Sequence, residues 1–320
     1  MPGSLAALRK LGVSIDSSQA YPFRGVRFAG GGVAVESDFP TGVGFGIRRP
    51  ALHHQMIEQA ARAGVILRWG EHVTGISRAG VLLGPELIRC RWIIGADGGT
   101  SRVRRWAGLD SMTRDTVRFG YRRHYHVAPW SQFMEIHWGD GCQIYVTPVG
   151  ADQVCVALLS HGSQLRLDDA LPRFPDISRR LDGARFATAE RGGISASRKL
   201  QRVQSAQVAL IGDASGSVDA ITGEGLFLAF QQAMALAGAM EYGDLGRYEI
   251  AHRRICRRPA FMADFILMLD RSSWIRGRVL RAMARRPGIF ANILAMHAGE
   301  LPIPDFILNT FALGYQMLLV

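Results

Sequence analysis

The sequence predicts an α/β protein in which a strand–turn–helix region is interrupted by an antiparallel sheet and then resumes. Three observations predict it. VALIGDASGSVDAITGEGLFLAFQQA, residues 208–233, reads as a short apolar strand, a turn of small residues around one aspartate, and an amphipathic helix. CRWIIGADG, residues 90–98, repeats the strand and turn and runs into the helix SRVRRWAG. Between the two, FGYRRHYHV, FMEIHWG, CQIYVTPVG and QVCVALLS follow at roughly ten-residue spacing, the pattern of an antiparallel sheet.

Each element has its own signal. SLAALRKL, 4–11, is a short helix closed by Gly12. GVRFAGGGVAVES, 25–37, is a hairpin of two alternating runs around a glycine-rich turn. Residues 47–64 form a helix with Pro50 near its start and Gly64 at its end. VILRWG and EHVTGIS read as strands, residues 168–182 as a helical insert, and the chain after 245 as mainly helical to its end. This predicts an α/β domain at 1–111, an inserted antiparallel sheet at 112–200, the resumed α/β domain at 201–245, and a helical C-terminal region at 246–320.

Composition narrows the function classes. The chain has 320 residues, 48% of them hydrophobic, enough for one large or two modest cores. Charged residues are 20%, which argues against disorder. No apolar window of about 18 residues occurs, so no transmembrane helix is expected, and no leader peptide is visible at the start. Cys90, Cys142, Cys155 and Cys256 show no C-x-x-C spacing and are expected to be reduced thiols in the cytoplasm. The pairs His53–His54 and His124–His126 do not match zinc patterns, and no metal site is expected. Net charge is +11, and residues 247–286 hold eleven arginines against Glu249, Asp264 and Asp270. Such a run suits a phosphate-bearing cofactor, an anionic membrane surface or a solvated helix face. No nucleic-acid motif accompanies it, so no nucleic-acid partner is expected.

The chemistry concentrates at the two aspartate turns. An acid just past a strand's carboxyl end can accept hydrogen bonds from a ribose or a bound water. Gly212, Ala214, Ser215 and Gly216 leave room beside Asp213 for a pyrophosphate to approach the backbone. Gly223 and Gly225 open a helix whose N-terminal N–H groups favour phosphate or an electron-rich ring. Alone, this is also what a tightly packed turn needs. Asp97, with Gly95, Gly98 and Gly99 around it and Ser101 as a helix N-cap, supplies the second copy.

GADGGTSRVRR and GDASGSVDAITGEGL together resemble the Asp-Gly and Gly-Asp motifs of the FAD-dependent oxidoreductases of the p-hydroxybenzoate hydroxylase-like class. The form DAITGEG is closer to the geranylgeranyl reductase-like branch. IRRPALH resembles the segment whose arginine, here Arg49, reaches the FAD, and EIHWGDGCQIYVTPVG resembles the sheet that walls the substrate side. The resemblance covers most of residues 1–300. It implies a Rossmann-like FAD/NAD(P)-binding domain with an inserted substrate sheet. It also implies that Asp213, beside Gly212, binds the ribityl or pyrophosphate region. Asp97 and Gly98 would sit near the pyrophosphate, and Gly223, Glu224 and Gly225 beside the isoalloxazine. Val73 would meet the adenine through its backbone.

The class begins with a βαβ unit carrying G-x-G-x-x-G, and this chain shows none. GVGFG, 42–46, has the wrong spacing and surroundings, and GGG at 30–32 is a hairpin turn. MPGSLAALRKLGV resembles the segment that follows that unit. Met1 therefore reads as an internal methionine of a longer frame, or the protein is a genuinely short one. Two functional readings follow. In the first, the protein is a FAD-dependent oxidoreductase, monooxygenase-like or reductase-like, reduced by NAD(P)H and acting on a small apolar substrate, isoprenoid or aromatic. No catalytic acid or base stands out, because His126, His137, Trp138 and Tyr145 are as readily packing residues of a sheet. In the second, the protein is a cofactor-poor remnant that binds a lipid or partner without turnover. For either, the arginine run and DFILNTFALGYQMLLV at the end suit peripheral contact with the inner face of a membrane.

Overall fold

A computed structural model describes residues 1–299, and the apolar C-terminal stretch 306–320 lies outside them. The chain divides into two compact units. One combines Met1–Ile57, Arg118–Ser195 and the chain from Asp264; the other combines Glu58–Val117 with Ala196–Ala263.

The first unit is built on a sheet whose strands run in the order Arg191–Leu200, Met112–Tyr125, Gln153–Ser160, Cys142–Gly150, Phe133–Trp138, Gly25–Gly30 and Val33–Asp38. The expected antiparallel run is there: Gln153–Ser160 pairs antiparallel with Cys142–Gly150 and with Met112–Tyr125. The hairpin read at 25–37 is formed, and Gly31 and Gly32 turn it at positive φ. It does not stand apart from the inserted sheet. Gly25–Ala29 pairs in parallel with Phe133–His137, so the hairpin extends that sheet. Alternation sorts the side chains. Ile144, Val146, Val156 and Leu158 point to one face and pack on Leu167, Phe174 and Ile177 from the helical insert. Burying each such side chain contributes about 1.5–3 kcal/mol. On the other face Phe28 meets Phe290 at 4.9 Å and Trp138 at 6.1 Å between ring centroids. Helices Ser273–Arg285 and Pro287–Ala298 cover this side. One acid of the arginine-rich tail is internal: Asp270 is buried against Arg118, Gln143 and His161. GVGFG is part of a small antiparallel pair, Gly44–Ile47 with Ala20–Phe23. There the Pro148 carbonyl lies against Gly46 so closely that no side chain would fit.

The second unit holds the resumed α/β part. Ile93–Gly95 and Val208–Leu210 are parallel neighbours, with Gln204–Ser205 on the far side of the latter. Helix Gly225–Glu241 and the start of helix Leu245–Arg271 supply Leu236, Ala239, Leu245 and Tyr248 to the core around Ala209 and Val203.

Two sequence expectations are corrected here. VILRWG is not a strand, because no described segment offers its backbone a ladder, and Ile66 is 88% exposed. EHVTGIS shrinks to Gly75–Ser77, which opens a three-stranded meander with Gly80–Leu83 and Glu86–Arg89. Among the described residues no helix is long and apolar enough to cross a membrane.

Candidate functional site

The two aspartate turns are brought to one edge of the second unit. Val208, Ala209 and Leu210 lie opposite Ile93, Ile94 and Gly95 in parallel register, and the Ile211 N–H donates to the Gly95 carbonyl at 3.0 Å. Parallel strands end on the same side. Both turns therefore leave from the carboxyl edge of one sheet, where open α/β sheets bind their ligands.

The turns are built differently. After the second strand the chain makes a short 3-10 turn, Gly212–Ser215, with Gly212 at φ 58°. The Gly212 N–H donates to Gln232 Oε1 at 2.7 Å, and Ser215 Oγ donates to the Gly212 carbonyl at 2.8 Å. His252 Nε2 lies 2.9 Å from Ser215 Oγ, and the Tyr248 hydroxyl donates to the Leu210 carbonyl at 2.6 Å. Burial holds the His252 pKa down at about 4, so the imidazole is neutral at physiological pH. Gln232, Tyr248 and His252 thus hold the turn from behind. The Asp213 side chain is exposed at this edge and bonds to no described residue.

Asp97 is committed elsewhere. Its carboxylate accepts from Ser101 Oγ at 2.5 Å and from the Arg102 and Val103 N–H groups at 2.7 and 3.1 Å. Burial pushes its pKa up, but these hydrogen bonds outweigh it and hold the carboxylate below the usual range. Asp97 together with Ser101 caps helix Arg102–Trp106, and Ser101 Oγ accepts from the Arg104 N–H. The Asp97 side chain therefore orders the turn, and the open backbone beside it is that of Gly98, at φ 79°.

Arg104, a residue the motif reading did not single out, joins the two turns. Its side chain is 4% exposed. It donates to Asp110 Oδ1 at 2.6 Å, to the Gly99 carbonyl at 2.9 Å and to the Ala214 carbonyl at 3.2 Å. Arg198 also donates to the Gly99 carbonyl. The only sequence signal was the spacing Ser101-x-x-Arg104, in a basic run that looks like surface.

Further along, Asp219 caps a 3-10 turn by accepting from the Ile221 N–H at 3.0 Å. That turn ends at Gly223 in the left-handed region, and Gly225 begins the 17-residue helix. Glu224 between them is buried, and burial raises its pKa to about 7, with the nearby Arg258 charge opposing. The sign follows. The folded-state pKa lies above the unfolded value of about 4.5, so ionising Glu224 costs stability as pH rises from about 4.5 through 7. Glu224→Gln is therefore expected to stabilise the protein above pH 7 by about 3 kcal/mol, and to leave it little changed near pH 4. Thermal midpoints across pH check this; a variant equally destabilised at every pH contradicts it.

Val73 lies half-buried in the loop before Gly75–Ser77, next to His72, whose Nε2 is 2.8 Å from Arg102 Nη1. Arg49 opens helix Arg49–Arg62 in the first unit and is exposed. His126, also in the first unit, faces Asp152 at 3.8 Å.

The second unit's edge suits a dinucleotide cofactor chemically. A Cβ added at Gly98, Gly223 or Gly225 would meet nothing within 4 Å, so bare backbone faces open space there. The first N–H groups of a helix have no carbonyl inside it. An unpartnered carboxylate, Asp213, supplies an acceptor for hydroxyls.

Comparison with known proteins points to the same class of cofactor. Residues 49–164 match the family model of the FAD binding domain. The digeranylgeranylglycerophospholipid reductase of Methanosarcina mazei is 29% identical over 62% of this chain and 53% of its own length. The corresponding reductase of Methanothrix thermoacetophila is 30% identical over 64% of this chain and 57% of its own length. The chain thus spans about half the length of the curated relatives it matches. Among solved structures, a flavoprotein/dehydrogenase from Cytophaga hutchinsonii superposes with TM-score 0.75 at 18% identity, covering 93% of this chain and 79% of the other. A geranylgeranyl bacteriochlorophyll reductase-like protein from Thermoplasma acidophilum gives 0.67 at 20% identity, covering 80% and 73%.

Proposed function

We propose that this chain, which is similar over residues 49–164 to the FAD binding domain and more broadly to digeranylgeranylglycerophospholipid reductases, is a FAD-dependent oxidoreductase reduced by NAD(P)H and acting on an apolar substrate. The observation that carries this is the pair of small-residue turns at one edge of a parallel strand pair, with an unpartnered Asp213 there.

In this reading Asp213 accepts hydrogen bonds from ribityl or ribose hydroxyls. Gly98 leaves its backbone open to the pyrophosphate, while Asp97 and Arg104 fix the turn it belongs to. Gly223, Glu224 and Gly225 present a helix N-terminus, favourable to negative charge developing on a ring beside it. Val73 contributes to the same cofactor, and Gly212 shapes the turn. The redox chemistry, hydride uptake from a nicotinamide and its onward delivery, would belong to the bound flavin. The names of the curated relatives favour an isoprenoid lipid as the substrate. Anaerobic mixing of the FAD-loaded chain with NADPH tests the reading: bleaching of the flavin bands supports it. A loaded protein that neither NADH nor NADPH reduces contradicts it.

Peripheral membrane contact fits the same substrate class. Trp274 is 64% exposed on helix Ser273–Arg285 and carries Arg278 over its ring at 4.7 Å. An exposed indole beside arginines suits an anionic interface. Co-sedimentation with anionic vesicles that weakens with salt is the expected result, and binding indifferent to salt and anionic lipid counts against it.

A further inference from the structure

The first unit has a cavity of about 550 Å³ on one face of its sheet, within the size range of small-molecule sites. Glu135 and His137, opposite Arg27 and Ala29 in register, line one side. The segment 173–180 of the helical insert lines another. This face is not the one near Arg49. In the sheet, Glu135 shares a row with Val146, Val156 and Arg123. His124 and Cys155 stand one residue along and so point the opposite way, and it is they that feel the charge of Arg48.

The charges inside the cavity are unequal in their partnerships. Glu135 is buried, and its carboxylate takes His137 Nε2 at 2.7 Å and a hydrogen bond from Trp130. Arg27 pairs with Glu36, and Asp176 with Arg179. Arg173 and Arg180 form no ion pair with any described residue; Arg180 instead lies 5.3 Å from the Trp130 ring centroid. Two guanidiniums without acids match a carboxylate or phosphate. Trp130 and the Phe174 ring offer apolar surface beside them. With Nε2 held by Glu135, the other ring nitrogen of His137 remains for one directional hydrogen bond.

We propose that this cavity is a second small-molecule site that takes an aromatic anion. Its carboxylate or phosphate is held by Arg173 and Arg180, its ring lies against Trp130 and Phe174, and a polar substituent is read by His137. The proposal is independent of the flavin reading. Titration calorimetry on the full chain tests it, using benzoate, phenyl phosphate, inorganic phosphate and benzyl alcohol as probes. The expected result is saturable binding of benzoate or phenyl phosphate, with the stronger of the two telling carboxylate from phosphate ligands. Inorganic phosphate and benzyl alcohol should bind about tenfold more weakly or worse. Arg173→Ala/Arg180→Ala alters two exposed side chains, so it should keep the wild-type circular dichroism while weakening the aryl anion about tenfold or more. Saturating FAD should leave the affinity unchanged. The proposal is overturned if neither aryl anion saturates at millimolar concentration, if inorganic phosphate binds as tightly, if the double variant binds as well as wild type, or if FAD displaces the probe.

Discussion

Arg104→Met is expected to destabilise the second unit by about 2–3 kcal/mol and to abolish flavin binding. Methionine retains most of the side chain's length and its apolar packing, so the loss isolates the guanidinium. Each of three acceptors then loses one donor: the Gly99 carbonyl retains Arg198, the buried Ala214 carbonyl loses its side-chain partner, and the exposed Asp110 loses its cation. An unsatisfied buried acceptor costs roughly 1–3 kcal/mol, and losing the pair with the exposed Asp110 adds at most about 1. Both aspartate turns should loosen together. Arg105→Met is the control, because Arg105 is exposed and, among the described residues, reaches only the Thr100 carbonyl, at 3.4 Å; it should change stability by less than about 0.5 kcal/mol. Thermal unfolding followed by circular dichroism measures both. Equal midpoints for Arg104→Met and wild type would show that the two turns are held without the guanidinium.

Asp213→Ala is expected to do the opposite: to leave the fold intact and weaken flavin binding about a hundredfold. The side chain is exposed and forms no hydrogen bond or ion pair with a described residue, so its removal takes no polar interaction from the folded structure. Two hydrogen bonds from ligand hydroxyls to a carboxylate are together worth about 3 kcal/mol, which is that factor. Asp213→Asn should lie between, since it keeps one acceptor oxygen. Asp97→Ala should differ in kind: it strips the cap from helix Arg102–Trp106, so stability falls first and flavin binding with it. If Asp213→Ala lowered the unfolding midpoint as much as Asp97→Ala, the assignment of one carboxylate to ligand and the other to fold would be wrong.

This difference between the two acids marks where the sequence is legible and where it is not. Both turns could be read, because an apolar run, a cluster of small residues around an acid, and a helical pattern are local signals. The division of labour could not. Whether a carboxylate caps a helix or faces outward depends on the path of the next five residues, and GADGGTS and GDASGSV differ little in that respect. Arg104 was illegible for a related reason. In SRVRRW it is one of several arginines, and only the meeting of Gly99, Asp110 and Ala214 makes it internal. The hairpin at 25–38 was visible from its glycine turn, but its seat in the large sheet rests on a parallel pairing with a strand about 100 residues away, which no local pattern carries. VILRWG shows the converse error: alternation and β-branched residues suggest a strand, yet a strand exists only with a partner. The hairpin at Gly80–Arg89 was missed despite the Gly84-Pro85 dipeptide between two apolar runs, a turn signal of the ordinary kind.

The central claim is that the paired turns of the second unit hold FAD. The most direct measurement is the visible absorption spectrum of the purified chain during titration with FAD. The expected result is a saturable shift and sharpening of the flavin bands, with an affinity that Asp213→Ala lowers about a hundredfold. Flavin bands that stay those of free FAD over the whole titration, on a chain whose circular dichroism shows it folded, would contradict the account.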